Sequence, residues 1–245
     1  STPTGSGGHT LQILEAATGF AVLFIAIGYL PALFQAFSRR ETAVSRLDPR
    51  AGSPPTAGAL LERSSQRGGW RELGEYLSEW ENWTAELMET HLSYPILGYF
   101  RSQHINQNWL AALTSVVDAC AYTIAYGPYE ESEPAELTFR IGRHALADLA
   151  FVFDPRGTRN ARFDRDRLSP EALRQLRATL ENSGLHSADS EQAQQKLGEL
   201  RASYEPYTLV LSNQLRLPLP DWLPPEDVKA YWRLAARPGR RRRVD

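Results

Sequence analysis

The sequence is poor in the residues that usually announce chemistry. One cysteine, Cys120, stands in 245 residues, so no internal disulfide can form and most of the chain suits a reducing compartment. Neither sign of charge dominates. Lys and Arg total 27 against 29 acidic residues, a net charge of −2, which argues against a dedicated nucleic-acid binder. No phosphate-cradling glycine loop, no G-x-S-x-G and no H-E-x-x-H occurs, so neither catalysis nor a cofactor has support. Runs of alternating apolar and polar residues are missing too, which leaves strands without a signal.

The most consequential absence is of charge between Ala16 and Ser38, 23 consecutive residues. As a helix they extend roughly 35 Å at about 1.5 Å per residue, enough for the ~30 Å hydrocarbon layer with some tilt. A signal peptide places positive charge before a short apolar run, whereas here Arg39 and Arg40 follow a long one. A buried core helix of this length is uncommon, so the run is expected to span a membrane. No Lys or Arg precedes it, and Arg39, Arg40, Arg46 and Arg50 come directly after it. The positive-inside rule then puts the N-terminus outside and the C-terminal region in the cytosol. Gly19, Gly28 and Pro31 interrupt the span. They suit either close packing of membrane helices or a moving helix, with Pro31 expected to kink it. Glu15, near the outer end, is either an interfacial residue or a polar contact with another membrane element.

The residues ahead of the span add a resemblance. "TPTGSGGHTLQILEAATGFAVLFIAIGYL" resembles the inner, pore-lining helix of two-transmembrane potassium channels together with the loop before it. In that family a filter of the form T-x-G-(Y/F)-G-D is followed by Pro-Thr, by Gly with a polar residue, and then by a helix with a hinge glycine. Pro3-Thr4, Gly8-His9 and Gly19 occupy those positions. The resemblance implies that Gly19 is the gating hinge, and helix geometry then makes Leu23 and Ile27 candidate pore-lining residues. No filter occurs in the chain: "GYL" at Gly28 and "GYF" at Gly98 lack the flanking Thr and second Gly. Filters conduct because backbone carbonyls replace the ion's hydration shell. The chain is therefore expected to be the part of a bacterial channel that follows the filter, a reading the missing initial methionine suits. "YLPALFQAFSRRE", "RAGSPPTA" and "HLSYPILGYFRSQHINQNWLAAL" look like the cytosolic extension of bacterial proteins with this ion-channel domain.

Beyond the span, "DPRAGSPPTAG" is rich in Pro, Gly and Ser and reads as a turn-rich linker. Helical spacing follows. Leu73, Leu77, Trp80, Leu87 and His91 mark one helix, and Leu110, Leu113, Val117, Cys120 and Ile124 mark a second, over 106–126. A third is expected from about Pro134 to Phe153. Ser169 as cap, Pro170 at the first helical position and Gly184 near the end delimit a fourth. The segment from Ser190 to Leu215 is expected to be helical as well. Six tryptophans suit a bundle core or a subunit interface.

Arg101, His104, Asn106 and Trp109 form a candidate ligand pocket, or else a polar network capping the second helix. His91 and His104, with Glu86 or Glu89, could converge on a metal, although structural histidines explain them better. His144, His186 and Cys120 are read as structural. The arginines within Arg237–Arg243 suit either a solvated tail or attraction to anionic lipid headgroups.

The expected organisation is all-α. It has an external loop at 1–8, an inner helix at 9–40, a juxtamembrane linker at 41–69, a cytosolic helical domain at 70–236 and a basic tail at 237–245. The expected function is passive K+ transport across the cell membrane by an oligomer around a pore, with the helical domain biasing gating. Its partners are then K+ and the bilayer, without nucleic acid. The alternatives are a single-pass anchor for a partner-binding bundle, and a membrane-tethered metal enzyme.

Overall fold

A computed structural model describes residues 5–162, 165–186 and 190–225. The described residues form helices and loops with no strand, so the chain is all-α. They divide into two units, one ending at Arg39 and the other beginning at Arg40. Helix α1, Ser6–Ala51, runs 46 residues and contributes to both.

In the first unit α1 is exposed over nearly all of its length. The second unit is a helical bundle that starts with the last turns of α1, where Val44, Leu47 and Ala51 are fully buried. α2 (Ala57–Ser65), α3 (Gly69–Ser93) and the 3-10 turn Pro95–Tyr99 follow. Then come α4 (Trp109–Tyr126), α5 (Tyr129–Phe153), α6 (Pro155–Arg159), α7 (Pro170–Asn182), α8 (Glu191–Ala202) and α9 (Glu205–Leu215). α4 is the core helix: its residues from Trp109 to Thr123 are all buried, among α2, α3, α5, α8 and α9. α3 and α5 pack along one another, and the Thr138 hydroxyl donates to the Leu77 carbonyl at 3.0 Å between them. The chain then returns across the bundle with Leu217, Leu219 and Trp222 buried. Asn108 donates to the Pro218 carbonyl, and Gly58 N–H to that of Trp222, which holds this segment down.

Several boundaries differ from those read in the sequence. The 41–69 stretch, expected as a juxtamembrane segment and linker, is mostly helical: α1 continues to Ala51, α2 spans Ala57–Ser65, and only the turns at Gly52–Thr56 and Gln66–Gly68 are non-helical. Local chemistry explains the compact turn. Gly52 adopts a positive φ of 87°, its N–H bonds the Asp48 carbonyl, and the Thr56 hydroxyl caps α2 by accepting from Ala59 N–H. Arg63 donates to the carbonyls of Asp48 and Pro49 in the last turn of α1. α4 begins at Trp109 rather than near Asn106, because Asn106 has a φ of 60° and Asn108 supplies the cap. α5 begins before Pro134, at Tyr129, and the Ser190–Leu215 segment breaks at Ser203–Tyr204. Ser169 and Pro170 start α7 as expected, and Gly184 follows its end with a φ of 88°. The arginine-rich tail lies outside the described residues.

Gly142 lets α5 approach α4. A Cβ there would lie 2.5 Å from Cγ2 of Val117, a stiff β-branched side chain in the fully buried helix. Ala in place of Gly favours a helix by about 1 kcal/mol, but overpacking a rigid core costs about 1–3 kcal/mol. The clash should win. Gly142→Ala is expected to lower the thermal midpoint of the bundle by a few degrees, and Val117→Ala in the same chain to offset part of that loss. A calorimetric scan of the two variants checks this.

Candidate functional site

Among the described residues two helices are long and apolar enough to cross a membrane, α1 and α4. Burial separates them, because α4 finds apolar surroundings inside the bundle whereas α1 is exposed. Phe20, Val22, Leu23, Phe24, Ile25, Ile27 and Leu30 are each between 52% and 70% exposed. At 100° per residue these positions face every side of the helix. A helix that is apolar all round belongs in a core or in a bilayer.

Along α1, Gly19, Leu23 and Ile27 recur every four residues and fall within a stripe about 80° wide. Leu23 and Ile27 are exposed, and a Cβ at Gly19 or Gly28 would meet nothing, so no neighbouring group in the chain explains either glycine. One residue before Gly19, the Thr18 hydroxyl donates to the Leu14 carbonyl at 2.8 Å, a back-bond that favours bending. Pro31 lies within α1 and lacks the amide that would bond the Ile27 carbonyl. The stripe therefore has softened backbone on both sides.

Where the bundle begins, Arg40 is only 4% exposed. Its guanidinium donates to the carbonyls of Leu97 and Phe100, both at 2.8 Å, and its Nε to Glu41 at 3.0 Å. His91 completes the node. Its Nδ1 lies 2.8 Å from the Leu87 carbonyl, so Nδ1 carries the proton and Nε2 accepts from Arg40 at 3.3 Å. The His91 ring lies 5.1 Å from that of Trp109, whose indole donates to the Gly98 carbonyl. Three carbonyls of the 95–100 segment are thus taken by α1 and α4. Burial, and then the charge of Arg40, push the His91 pKa from 6.5 down to about 3, so the imidazole is neutral.

The arginine count after the span changes accordingly. Arg40 is an internal latch, and Arg50 pairs with Glu72 at 3.4 Å while lying over the Tyr76 ring. Arg39 and Arg46 remain exposed.

Arg101, His104 and Trp109 are held by different partners. Arg101 donates to the carbonyls of Leu215 and Arg216 and closes the end of α9. His104 bonds Ser45, Asn106 is exposed in a turn, and Trp109 is buried beneath His91. His91 and His104 are held by different partners, and among the described residues no three His, Cys, Asp or Glu side chains gather around a metal position. The Cys120 thiol is fully buried, and burial and then Asp118 raise its pKa, so it is inert. A cleft lined by Ala43, Arg46, Tyr76, Glu79, Trp80 and Trp83 encloses about 100 Å³, below the roughly 300–1,000 Å³ of small-molecule sites, whereas an open, acidic-lined depression along the first turns of α5, from Tyr129 to Arg140, reaches about 440 Å³.

A second polar centre went unread in the sequence. Asp118, in the middle of α4, accepts from Arg167 at 2.6 and 3.0 Å and from the Tyr204 hydroxyl. Arg167 also donates to Glu205 at 3.2 Å, and Arg201 donates to both Glu205 and Asp166. The Trp222 indole reaches Glu205 at 3.4 Å. Burial opposes the charge of Arg167, but Asp118 and Glu205 outweigh it and hold the guanidinium above its ordinary pKa. Burial raises that of Glu205 despite Arg167, and raises that of Tyr204 well above its usual value, so the phenol stays protonated. The network ties α4, α8, α9 and the returning segment together and leaves no acid or base facing a cavity. The signal was a lone carboxylate inside the stripe Leu113, Val117, Cys120.

No protein-family model matches the chain, nor does any curated protein or solved structure. Fold and site define an all-α chain with an exposed apolar helix and an internally clamped bundle, and the channel resemblance rests on the quoted residues alone.

Two measurements probe the polar centres. Arg167→Met strands Asp118 without its cation, so chemical denaturation should show a loss of about 3–5 kcal/mol. For His91 the sign follows from its depressed pKa. As pH falls from 6.5 towards 3 the unfolded chain takes up a proton that the folded chain refuses, so stability drops by up to about 1.4 kcal/mol per pH unit. His91→Gln should show a flatter profile over that window.

Proposed function

We propose that the chain forms the inner helix and cytosolic helical domain of a potassium-channel-like membrane protein, mediating passive K+ transport. The observation that carries this reading is the exposure of apolar side chains on every side of α1 around Gly19–Leu30. Bilayer and neighbouring copies of the helix would cover them. Gly19 is the hinge, Leu23 and Ile27 face the ion path, and Pro31 loosens the inner end. The reading requires a filter and an outer helix from outside these 245 residues. It places the N-terminus of α1 outside and the bundle in the cytosol, with several copies surrounding one pore.

The bundle then has a mechanical task. Residues 40–51 of the helix that bends are built into it, with Leu47 and Ala51 in its core and Arg40 bonded to the 95–100 segment. A bend at Gly19 changes the direction in which that end leaves the membrane, so any force on the bundle biases the gate.

The test is flux through proteoliposomes carrying the protein expressed from its complete gene. Barium-sensitive K+ flux is expected. Gly19→Ala should reduce it about fivefold, since Ala favours the unbent helix by about 1 kcal/mol. Absence of flux from a folded, inserted sample would favour a single-pass anchor for the bundle.

A further inference from the structure

We propose that the end of the bundle formed by the 3-10 turn and the C-terminus of α5 is a second membrane contact, docking on the interface of a bilayer that contains anionic lipid. The proposal rests on the reading that α1 spans that membrane.

Four large side chains are exposed there: Ile96 (50%), Tyr99 (52%), Phe151 (50%) and Val152 (40%). They flank one contact. The Tyr99 ring meets Phe153 edge-on, with centroids 5.7 Å apart. Gly98 makes room for the same ring, because a Cβ there would lie 2.3 Å from its tip. The turn is thus seated on the end of α5, and the exposed residues on either side of the contact belong to one surface.

The chain itself ties that surface to the apolar run. The carbonyls of Leu97 and Phe100, on either side of Tyr99, bond the Arg40 guanidinium at 2.8 Å. Arg40 follows Ser38, the last residue of the uncharged run, by only two residues.

The chemistry of the patch suits a bilayer interface. Tyrosine favours the boundary, where its ring is apolar and its hydroxyl is wet. Immediately after Val152 and Phe153, α6 exposes Arg156 and Arg159. An apolar cluster followed by exposed arginines is the pattern of an interfacial anchor on anionic lipid. Four side chains are also few for a protein partner, since stable interfaces engage about 20–30 residues a side.

The experiment places a bimane label on Ile96→Cys or Phe151→Cys in the full chain, reconstituted in nanodiscs of phosphatidylcholine with or without phosphatidylglycerol. Buried Cys120 contributes no background, which unlabelled wild type verifies. Quenching by nitroxide-labelled lipids is read against labels on Leu23→Cys, which reports insertion of α1, and on exposed Gln175→Cys. Quenching at 96 and 151 should exceed that at 175 by about threefold, and more so with phosphatidylglycerol. Arg156→Gln with Arg159→Gln should remove the phosphatidylglycerol increment. Quenching at 96 and 151 no greater than at 175, with position 23 quenched, overturns the docking proposal alone. Shielding of 96 and 151 from both lipid nitroxides and aqueous iodide overturns it in favour of a protein partner. No quenching at position 23 overturns the spanning reading and the proposal with it.

Discussion

Water solvates the N-terminal part of α1 only at a high cost, and the rest of the structure is arranged around that fact. Fully burying one large apolar side chain is worth about 1.5–3 kcal/mol. Seven such residues between Phe20 and Leu30 are more than half exposed. Left in water, they forgo an amount comparable with the whole net stability of a domain, about 5–15 kcal/mol. No described residue covers them, and a bilayer would do so without asking for a complementary surface. The uninterrupted helix satisfies the other demand of that solvent, since nearly every backbone amide is bonded within the segment. Pro31 supplies no amide, and beside Gly19 the Thr18 hydroxyl adds a back-bond to the Leu14 carbonyl, both of which soften the helix.

Arg40 marks the point at which the constraint changes. Through Leu30 the helix is apolar and exposed, and from Arg40 it is amphipathic, with Val44, Leu47 and Ala51 facing a core. A buried guanidinium is tolerable there because the Leu97 and Phe100 carbonyls, Glu41 and a neutral His91 occupy its donors. Across the bundle, Asp118, Arg167, Arg201 and Glu205 follow the same rule, with each charge facing its counter-charge. Buried ion networks add little net stability but penalise alternative packings heavily. They suit a domain whose helices have to hold one arrangement.

The helices themselves were legible in the sequence because apolar spacing and caps are local. Ser169 and Pro170 announce α7, and Leu73, Leu77 and Trp80 trace α3. The misread elements depended on tertiary partners. "DPRAGSPPTAG" has the composition of a spacer, yet Arg63 and Thr56 turn it into a tight, largely buried corner. Arg101, His104 and Asn106 look like a site when adjacent in sequence. In the fold Arg101 serves α9 and His104 serves α1, partners more than fifty residues away. Asp118 was legible in principle, since a carboxylate amid a buried stripe demands a cation, but nothing local names Arg167 as that cation. The exposed apolar helix was read correctly for length and composition. The proposal that it walls an ion path rests on Pro3-Thr4, Gly8-His9 and Gly19 rather than on any feature of the bundle.

The central claim is that one face of α1 borders an ion path while the others face lipid or protein. Cysteine modification tests it most directly, with Leu23→Cys, Ile27→Cys and, on the opposite side of the helix, Ile25→Cys in the full-length protein. Charged, water-soluble thiosulfonate applied from the cytosolic side should reduce K+ flux through the first two and leave the third unchanged. Equal modification of all three, or of none while flux persists, would contradict the assignment of Gly19, Leu23 and Ile27 to a pore-lining stripe.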